Sequence, residues 1–433
     1  MKNSVTLDKN KCKGCTTCMK HCPTEAIRVR RGRAHILSDR CIDCGNCIRV
    51  CPHKAKKAVC YSFDRIKDYE YSIALPAPSL YGQFKNLNDI NIVLQALLDI
   101  GFSNVCEVAG AAEIISDLTR RSFENGENLP LPRISSACPA AVRLILMRFP
   151  HLIKNIVPYI APVELAAIQA RKEAMEKTGL PSEKIGVFFI TPCPAKVTSG
   201  KTPLLLDSPV IDGSIPINDI YKRLLPAMKN VKNPGNLSKT GLIGIGWARS
   251  GGESSALLKT QHLAVDGIDN IITILEDLDN GVLTGIQFLE LNACTQGCVG
   301  GCLAVENPYI AKNRITDLMK YLPVGRNKVS GDLSGVIEAK KQLEYENVWK
   351  IDGDRTAALE KYAAIETLRG ELPGLDCGSC GAPSCQALAE DVVLGFAAED
   401  DCIFRMRERV QYMTGSDDTD AYLPPPFRKI SQK

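Results

Sequence analysis

Two cysteine runs near the start of the chain restrict its fold more than any other feature. The first run is Cys12-x2-Cys15-x2-Cys18-x3-Cys22-Pro23, and the second is Cys41-x2-Cys44-x2-Cys47-x3-Cys51-Pro52, which starts 29 residues later. The repeat predicts two copies of one small module. The chain has 19 cysteines, and its first thirteen residues are polar, without the apolar region of a secretion signal. Clustered thiols in a reducing compartment favour metal binding over disulfides, so we expect a cytoplasmic metal protein.

The spacing within each run, with proline after the fourth cysteine, is that of two-cluster ferredoxins. In such runs the fourth cysteine binds the other cluster. We therefore assign one 4Fe–4S cube to Cys12, Cys15, Cys18 and Cys51 and the other to Cys41, Cys44, Cys47 and Cys22. Tetrahedral zinc sites are the alternative, and the fourth cysteine followed by proline argues against them.

Charge and hydropathy exclude several classes of protein. The length of 433 residues predicts two to four domains. No apolar run approaches the length of a membrane span, so no membrane partner is expected. The formal charge of +4 omits metal-bound thiolates, which make the loaded protein more acidic, so no nucleic-acid surface is implied. Residues 1–60 carry fourteen Lys and Arg against four Asp and Glu. This excess either compensates anionic clusters or forms a docking face for an acidic electron-transfer partner.

A second group of cysteines lies in the middle of the chain. Cys294 and Cys298 follow an apolar run at 286–291 that predicts a buried strand, and glycines surround them. Cys138 and Cys193 each follow a predicted strand and precede a proline that can begin a helix. A thiolate at a helix start is stabilised by the helix N–H groups, which lower its pKa.

These segments, Ser136-Ala-Cys-Pro139, Thr191-Pro-Cys-Pro-Ala-Lys196 and Glu290 to Cys302, together resemble the active-site motifs of the iron-only (FeFe) hydrogenases. The resemblance implies an α/β domain that carries an H-cluster. In that cluster a 4Fe–4S cube is linked to a two-iron unit with CO, CN and an azadithiolate. By motif position, the cube ligands are Cys138, Cys193, Cys294 and Cys298, and Cys298 bridges to the two-iron unit.

The resemblance also implies residues around the two-iron unit. Lys196 would hydrogen-bond a cyanide, and a lysine in a dry pocket needs such an anion. The segment Ala77-Pro78-Ser79 would line the unit, and Gly251 and Gly252 would belong to a glycine-rich loop beside it.

The sequence departs from the family pattern near this site. Ala137 replaces a cysteine that relays protons, and Asp117-Leu-Thr-Arg-Arg121 stands where acidic relay residues are usual. Thr191 and Asn292 replace methionines, and Cys302 replaces a glycine. Because a methyl group cannot carry a proton, we expect slow turnover. Cys302 is a spare ligand, a relay thiol or neither, whereas Cys60 and Cys106 are expected to be ordinary thiols.

A third cysteine group, Cys377-x2-Cys380-x4-Cys385-x16-Cys402, resembles the small 4Fe–4S module of electron-transfer and corrinoid iron–sulfur proteins, with zinc as the alternative. Residues 372–404 contain six acidic residues and no Lys or Arg. This charge should make the cluster harder to reduce than one in the basic N-terminal module. It should also favour contact with that module, within one chain or across a homodimer.

The predicted fold class is an α/β H-cluster domain with an N-terminal α+β two-cluster ferredoxin-like domain and a small helical C-terminal iron–sulfur module. The predicted divisions are 1–72 for the ferredoxin-like domain, 73–324 for the H-cluster domain, 325–365 for a helical connector, 366–413 for the C-terminal module and 414–433 for a flexible tail.

The resemblance implies a protein that binds H2 and slowly and reversibly oxidises it to protons and electrons. We expect a hydrogen or redox sensor that passes electrons through its 4Fe–4S clusters to a signalling partner. One alternative is a catalytic ferredoxin-linked or bifurcating hydrogenase with another proton path. The other is an iron–sulfur assembly scaffold without the two-iron unit.

Overall fold

The computed structural model describes residues 3–126, 129–258, 261–329 and 334–415. The chain divides into two compact units. The first comprises Met1–Thr6, Cys41–Arg49 and Lys57–Glu346, and the second comprises Leu7–Arg40, Val50–Lys56 and Asn347–Lys433. The predicted flexible tail, apart from its first two residues, lies outside the described part. No helix among the described residues is long and apolar enough to cross a membrane.

Short strands and helices alternate along most of the chain. Within the described residues the strands are β1 (Val5–Leu7), β2 (Ile27–Arg30), β3 (Arg33–Ile36), β4 (Lys56–Ala58), β5 (Tyr71–Pro76), β6 (Asn104–Val105), β7 (Arg133–Ile134), β8 (Ile185–Thr191), β9 (Gly213–Pro216), β10 (His262–Asp266) and β11 (Phe288–Asn292). The helices are α1 (Thr17–Lys20), α2 (Asn46–Arg49), α3 (Ile90–Asp99), α4 (Val108–Glu124), α5 (Pro139–Arg148), α6 (Pro162–Thr178), α7 (Pro194–Lys201), α8 (Ile217–Asn230), α9 (Leu242–Gly246), α10 (Gly252–Ala256), α11 (Ile268–Asp279), α12 (Pro308–Met319), α13 (Ser334–Ile337), α14 (Arg355–Glu371), α15 (Cys385–Val393) and α16 (Ile403–Thr414).

Two parallel sheets form the centre of the first unit. One has the strand order β6-β5-β8-β9 and the other has the order β10-β11-β7. In the larger sheet, β5 pairs with β8 along six residues, from Tyr71 opposite Ile185 to Pro76 opposite Ile190. All seven residues of β8 are buried. Both faces of a parallel sheet are covered by its crossover helices, which explains the uninterrupted apolar sequence of this strand.

The two faces of the larger sheet belong to different hydrophobic cores. Ala74 and Phe188 point into one core, which includes α3, α8 and α12. Ile73, Leu75 and Val187 point into the other core, which includes α4 and α6. This distribution follows from the side-chain alternation of a strand. Burial of the apolar side chains in these two cores stabilises the unit.

The carboxyl ends of the central strands deliver the predicted site residues. Pro76 ends β5 just before Ala77, and Thr191 ends β8 just before the Cys193 loop. Asn292 ends β11 two residues before Cys294. Parallel strands all end at the same edge of a sheet, where α/β proteins bind their ligands. The fold therefore brings together segments far apart in sequence.

Much of the segment predicted as a helical connector, 325–365, has no regular secondary structure over its described residues. It contains the four-residue α13 and then the start of α14 at Arg355. Between these helices its amides bond to other segments of the first unit: Ala339 N donates to Pro158 O and Glu346 N donates to Leu146 O. These partners satisfy the backbone, so the segment needs no helical hydrogen bonds.

The second unit combines the first part of the chain with the last. β2 and β3 form an antiparallel hairpin. Helices α14 and α15 pack through a small core that includes Ile365, Leu368, Leu388 and the buried Cys402. The N-terminal module predicted from the cysteine runs therefore contributes residues to both units.

Candidate active site and its metal centres

Four cysteines of the first unit converge at the edge of the sheets. Cys138 and Cys193 immediately precede α5 and α7, with proline as the first helical residue in each case. Cys294 follows β11, and Cys298 opens a short 3-10 turn. Burial raises the pKa of the Cys193 thiol well above its usual value, and the nearby Cys294 and Cys138 raise it further.

The N–H groups at the helix starts do not lower the thiol pKa values overall, contrary to the sequence-based expectation. Backbone donors from Ala293 and Ala141 lower the pKa of Cys138, but burial outweighs them and the net shift is upward. Burial likewise raises the pKa of Cys294 to about 11, although Arg49 lowers it. Thiolates crowded in a dry site need a cationic metal centre, which is the role predicted for these four residues.

Lys196 reaches the same site from the first turn of α7. Its Nζ lies 3.3 Å from Cys298 Sγ and donates a hydrogen bond to it. Burial lowers the pKa of Lys196, but the thiolates of Cys298, Cys193 and Cys138 raise it more, so the net shift is upward. The lysine is therefore a charged donor directed at an anionic centre, as the family resemblance implies.

A cavity of about 620 Å³ lies beside Cys298. The predicted residues Ala77, Pro78, Ser79, Ala137, Lys196, Asn292 and Cys298 line it, together with apolar side chains such as Val108 and Phe189.

The polar groups of the cavity fit a bound unit with hydrogen-bond acceptors. Ser79 is fully buried, and its Oγ has no hydrogen-bond partner in the structure. A buried hydroxyl without a partner is costly, and a ligand in the cavity would satisfy it. With the Lys196 ammonium and the Cys298 thiol, this hydroxyl forms a set of groups that can hold a two-iron unit bearing CO and CN.

Two buried carboxyl groups on the cavity wall were not among the predicted site residues. Glu290 accepts hydrogen bonds from Gly251 N, Ser254 N, Ser254 Oγ and Asn292 Nδ2 at 2.7–3.0 Å. Glu253 Oε2 accepts from Ser135 Oγ at 2.6 Å. Burial, and then the charge of Glu290, raise the pKa of Glu253 to about 8. Glu253 can therefore hold or release a proton near neutral pH.

The position of Glu290 in the sequence could have identified it as a functional residue. It interrupts the apolar strand Phe288–Asn292, and a charged residue that is 3% exposed in such a strand needs a reason. Glu253 lies at the end of a glycine-rich loop and not within an apolar strand, so the sequence does not mark it as a buried charge.

Some predicted residues occupy other positions. Thr191 is absent from the cavity lining described above, and its Oγ1 accepts a hydrogen bond from Cys193 N at 3.2 Å. Gly251 and Gly252 lie behind Glu290 and start α10. A Cβ on Gly252 would lie 1.9 Å from Gly246 O, so this glycine allows close backbone packing. Asp117 forms ion pairs with Arg120 and Arg121 within α4.

The loop of the second cysteine run contacts this domain within the first unit. Asp43 is buried and accepts hydrogen bonds from Ser4 N, Val5 N and Thr198 Oγ1. Cys302 lies against Gly45, where an added Cβ would be 2.4 Å from Cys302 Sγ. Burial raises the pKa of Cys302, and the neighbouring Cys294 raises it further. The close contact with Gly45 favours a packing role for Cys302.

Burial raises the pKa of the Cys60 and Cys106 thiols to about 12. Their assignment as ordinary thiols outside the clusters stays a prediction.

The first cysteine run forms a cavity of about 330 Å³ in the second unit. Cys12, Cys15, Cys18, Cys51 and Lys56 line it. Lys56 is 3% exposed, and its Nζ has no hydrogen-bond partner. A buried ammonium without an anion is unfavourable, and an anionic 4Fe–4S cluster with four thiolates would provide one.

The C-terminal cysteines Cys377, Cys380 and Cys385 are half-buried around a glycine-containing loop, and Cys402 is buried before α16. Among the described residues no three His, Cys, Asp or Glu side chains converge closely enough to hold a single metal ion.

Comparisons with known proteins agree with this geometry. Residues 70–232 match the family described as iron only hydrogenase large subunit, C-terminal domain. Residues 4–52 match a 4Fe-4S dicluster domain, and residues 372–404 match a putative Fe-S cluster family.

Solved structures also share the fold. A glutamate-to-glutamine variant of the [FeFe]-hydrogenase HydA1 from Chlamydomonas reinhardtii is 14% identical and has a TM-score of 0.50; the match covers 64% of this chain and 95% of that chain. A glutamate-to-alanine variant of the same protein is 16% identical, with 64% and 95% coverage and a TM-score of 0.49. A structure of HydA(deltaEFG), which describes stepwise H-cluster assembly, is 14% identical, with 66% and 97% coverage and a TM-score of 0.49.

The family match covers residues 70–232 of the chain, and the matches together confirm the predicted fold class. The protein has an H-cluster domain fold, an N-terminal 4Fe–4S dicluster domain and a C-terminal iron–sulfur domain. These domains support iron–sulfur cofactors.

Proposed function

We propose that this protein binds H2 at a six-iron H-cluster and slowly and reversibly converts it to two protons and two electrons. The observation that carries the proposal is the cavity beside Cys298, where the Lys196 ammonium and the unpartnered Ser79 hydroxyl face one space. Cys138, Cys193, Cys294 and Cys298 would hold the cube, and Cys298 would hold the two-iron unit.

The residues of the cavity bind and orient the unit. The two-iron unit, when bound, supplies a Lewis-acidic iron and an amine base for heterolytic cleavage. Lys196 donates to its anionic ligands, and Ser79 adds a neutral donor. The apolar side chains of Val108 and Phe189 keep water out, which strengthens both interactions.

Proton movement in this cavity depends on residues other than a cysteine. Ala137 lines the cavity and offers no titratable group. Ser135 Oγ donates to Glu253 and accepts from Ala137 N at 3.2 Å, so a hydroxyl and a carboxyl lie just behind the alanine. Glu253, with its raised pKa, is the carboxyl that would hold a proton leaving the site.

We infer a sensory role from the replaced relay and the added C-terminal module. A sensor needs to bind H2 and change its redox state, and rapid turnover is not required. Its electrons would pass through three 4Fe–4S clusters to a signalling protein. The test is H2 oxidation and evolution by matured wild type and Ala137→Cys. We expect at least a tenfold rise in the variant, and an equal rate would show that the missing thiol does not limit turnover.

A catalytic ferredoxin-linked or bifurcating hydrogenase is the second candidate, because Glu253 offers a different proton path. High wild-type rates in both directions, unchanged by Ala137→Cys, would favour this candidate. The assembly-scaffold alternative leaves the buried Ser79 hydroxyl without an acceptor in the cavity, so the cavity does not support it.

A further inference from the structure

The second unit joins the first cysteine run to the C-terminal module. Val29 N, in β2, donates to Gly381 O at 2.8 Å, and an Arg30 Nη atom donates to Cys380 O at 2.8 Å. Lys20, the last residue of α1, donates to the carbonyl of Asp376. Three backbone carbonyls of the Cys377–Cys380 region are therefore bound by residues that belong to the first cysteine run and its hairpin.

Two glycines make this close approach possible. Gly381 has φ +80°, and a Cβ there would lie 1.9 Å from Val29 O. Gly378 has φ +74°, and a Cβ there would lie 2.6 Å from a Lys20 side-chain carbon. Positive φ alone favours glycine at both positions, and at Gly381 the close backbone carbonyl of Val29 adds a second requirement. Gly395, with φ +78° in the same module, has open space around it.

Buried ion pairs hold the same surfaces together. Asp391 Oδ2 accepts from Arg28 Nε and from Arg30 at 2.7 Å each, and the side chains of Arg28 and Asp391 are 5% and 10% exposed. Arg40 pairs with Glu390 at 3.1 Å. The acidic residues of the module and the basic residues of the N-terminal segment thus meet within one chain, and buried charged hydrogen bonds fix the register of the contact.

Val29 connects the two predicted cluster sites. It lines the cavity formed by Cys12, Cys15, Cys18 and Cys51, and its amide bonds to Gly381, the residue after Cys380. One residue and one hydrogen bond therefore separate the first N-terminal cluster site from a ligand loop of the C-terminal site.

We propose that the C-terminal cluster exchanges electrons directly with the cluster held by Cys12, Cys15, Cys18 and Cys51. This inference rests on the proposed function only in requiring that both clusters are loaded. One electron leaves the reduced 1+ state of one cluster, which returns to 2+, and converts the other from 2+ to 1+. No proton or bond is involved. H2 supplies the electron in the matured protein, and a strong chemical reductant supplies it otherwise.

The experiment uses full-length protein with its 4Fe–4S clusters but without the two-iron unit, reduced by a europium(II) chelate. Wild type, Gly381→Ala and Gly395→Ala are compared by electron paramagnetic resonance at equal iron content. The two substitutions impose similar backbone strain, but only Gly381→Ala pushes the C-terminal loop away from Val29. We expect wild type and Gly395→Ala to share a magnetically coupled spectrum. Gly381→Ala should show a separate, uncoupled signal of about one spin per chain.

Hydrogen exchange at Val29 provides a readout that does not depend on iron. The Val29 amide should be protected in wild type and in Gly395→Ala, and at least tenfold less protected in Gly381→Ala. Asp391→Asn serves as a second variant outside the ligand loop if Gly381→Ala does not load its clusters. Its spectrum should lose coupling as salt is raised, whereas the wild-type spectrum should not.

An uncoupled C-terminal signal in wild type, or identical spectra in wild type, Gly381→Ala and Asp391→Asn at full iron content, would overturn the inference. None of these results depends on the two-iron unit. The proposed H2 chemistry can therefore fail while the cluster contact stands, and the contact can fail while the H2 chemistry stands.

Discussion

The H-cluster cavity of the first unit and the cysteine module at the end of the second unit each gather four thiols in different ways. In the cavity, the ligands lie at residues 138–298 and follow strands of two separate parallel sheets. In the C-terminal module, three of the four lie within residues 377–385, around glycines with positive φ. The distributed site is lined by buried charged groups such as Lys196 and Glu253, whereas the local site takes most of its thiols from one loop.

The largest expected effect comes from removing Cys298, the thiol of the distributed site that is predicted to bridge to the two-iron unit. Cys298→Ala should abolish the CO and CN infrared bands of matured protein and lower H2 oxidation at least 10³-fold, because the two-iron unit loses its attachment. Signals of the cysteine-run clusters should remain. Cys106→Ala, which removes a buried thiol with a pKa of about 12, is the matched control and should keep the bands. Retained bands in Cys298→Ala would mean that the bridging assignment is wrong.

The second largest effect is expected at Glu253, a buried carboxyl group that belongs to the distributed site. Glu253→Gln should lower turnover by about 10²-fold, since a proton carrier contributes that order of magnitude. The control is Glu276→Gln, whose exposed pair with Arg148 is worth at most about 0.5 kcal/mol, so its rate and stability should match wild type. A wild-type rate in Glu253→Gln would place the proton path elsewhere.

Stability should also depend on pH through Glu253. Its pKa is about 8 in the folded protein against 4.5 for an unperturbed carboxyl, so the folded state binds more protons between these values. Stability then falls as pH rises from about 4.5 to about 8. Urea unfolding of apoprotein measures this fall. Over this pH range the free energy of unfolding should fall less in Glu253→Gln than in wild type, by at least ~1 kcal/mol. Parallel curves for the two proteins would contradict the raised pKa.

A smaller effect is expected at the first cysteine run, where the environment holds one buried cation. Lys56→Met should lower the reduction potential of the cluster of Cys12, Cys15, Cys18 and Cys51. Loss of a nearby positive charge is worth about 1–2 kcal/mol, or roughly 45–90 mV for one electron. Lys57→Met, at an exposed neighbouring position, should leave the potential unchanged. Redox titration followed by paramagnetic resonance measures both, and equal potentials would remove Lys56 from the cluster environment.

The local site could be predicted from cysteine spacing alone, whereas the distributed site could not. Local spacing identified the cysteine runs and the C-terminal module, because their ligands are close in sequence. The convergence of Cys138, Cys193 and Cys294 came from a family resemblance, and strand topology explains it. Glu253 could not be chosen from the sequence, since its raised pKa depends on burial beside Glu290, which is distant in the chain.

Backbone contacts between distant segments also could not be predicted from the sequence. The conformation of residues 338–346 depends on hydrogen bonds to carbonyl oxygens such as Pro158 O and Leu146 O, which no local sequence pattern reveals. The contact between the two ends of the chain was expected from opposite charges. The roles of Gly378 and Gly381 in that contact could be recognised only from the structure. In the sequence, a glycine in a cysteine loop is also expected simply because the turn needs it.

The most direct test of the central claim is an infrared spectrum of anaerobically matured protein before and after exposure to H2. We predict CO and CN bands that shift when H2 is added, because a two-iron unit bound in the cavity beside Cys298 would respond to the gas. A protein with intact 4Fe–4S clusters and full exposure to the maturation machinery, but without such bands, would contradict the claim. Cys138, Cys193, Cys294 and Cys298 would then be the ligands of a cube alone.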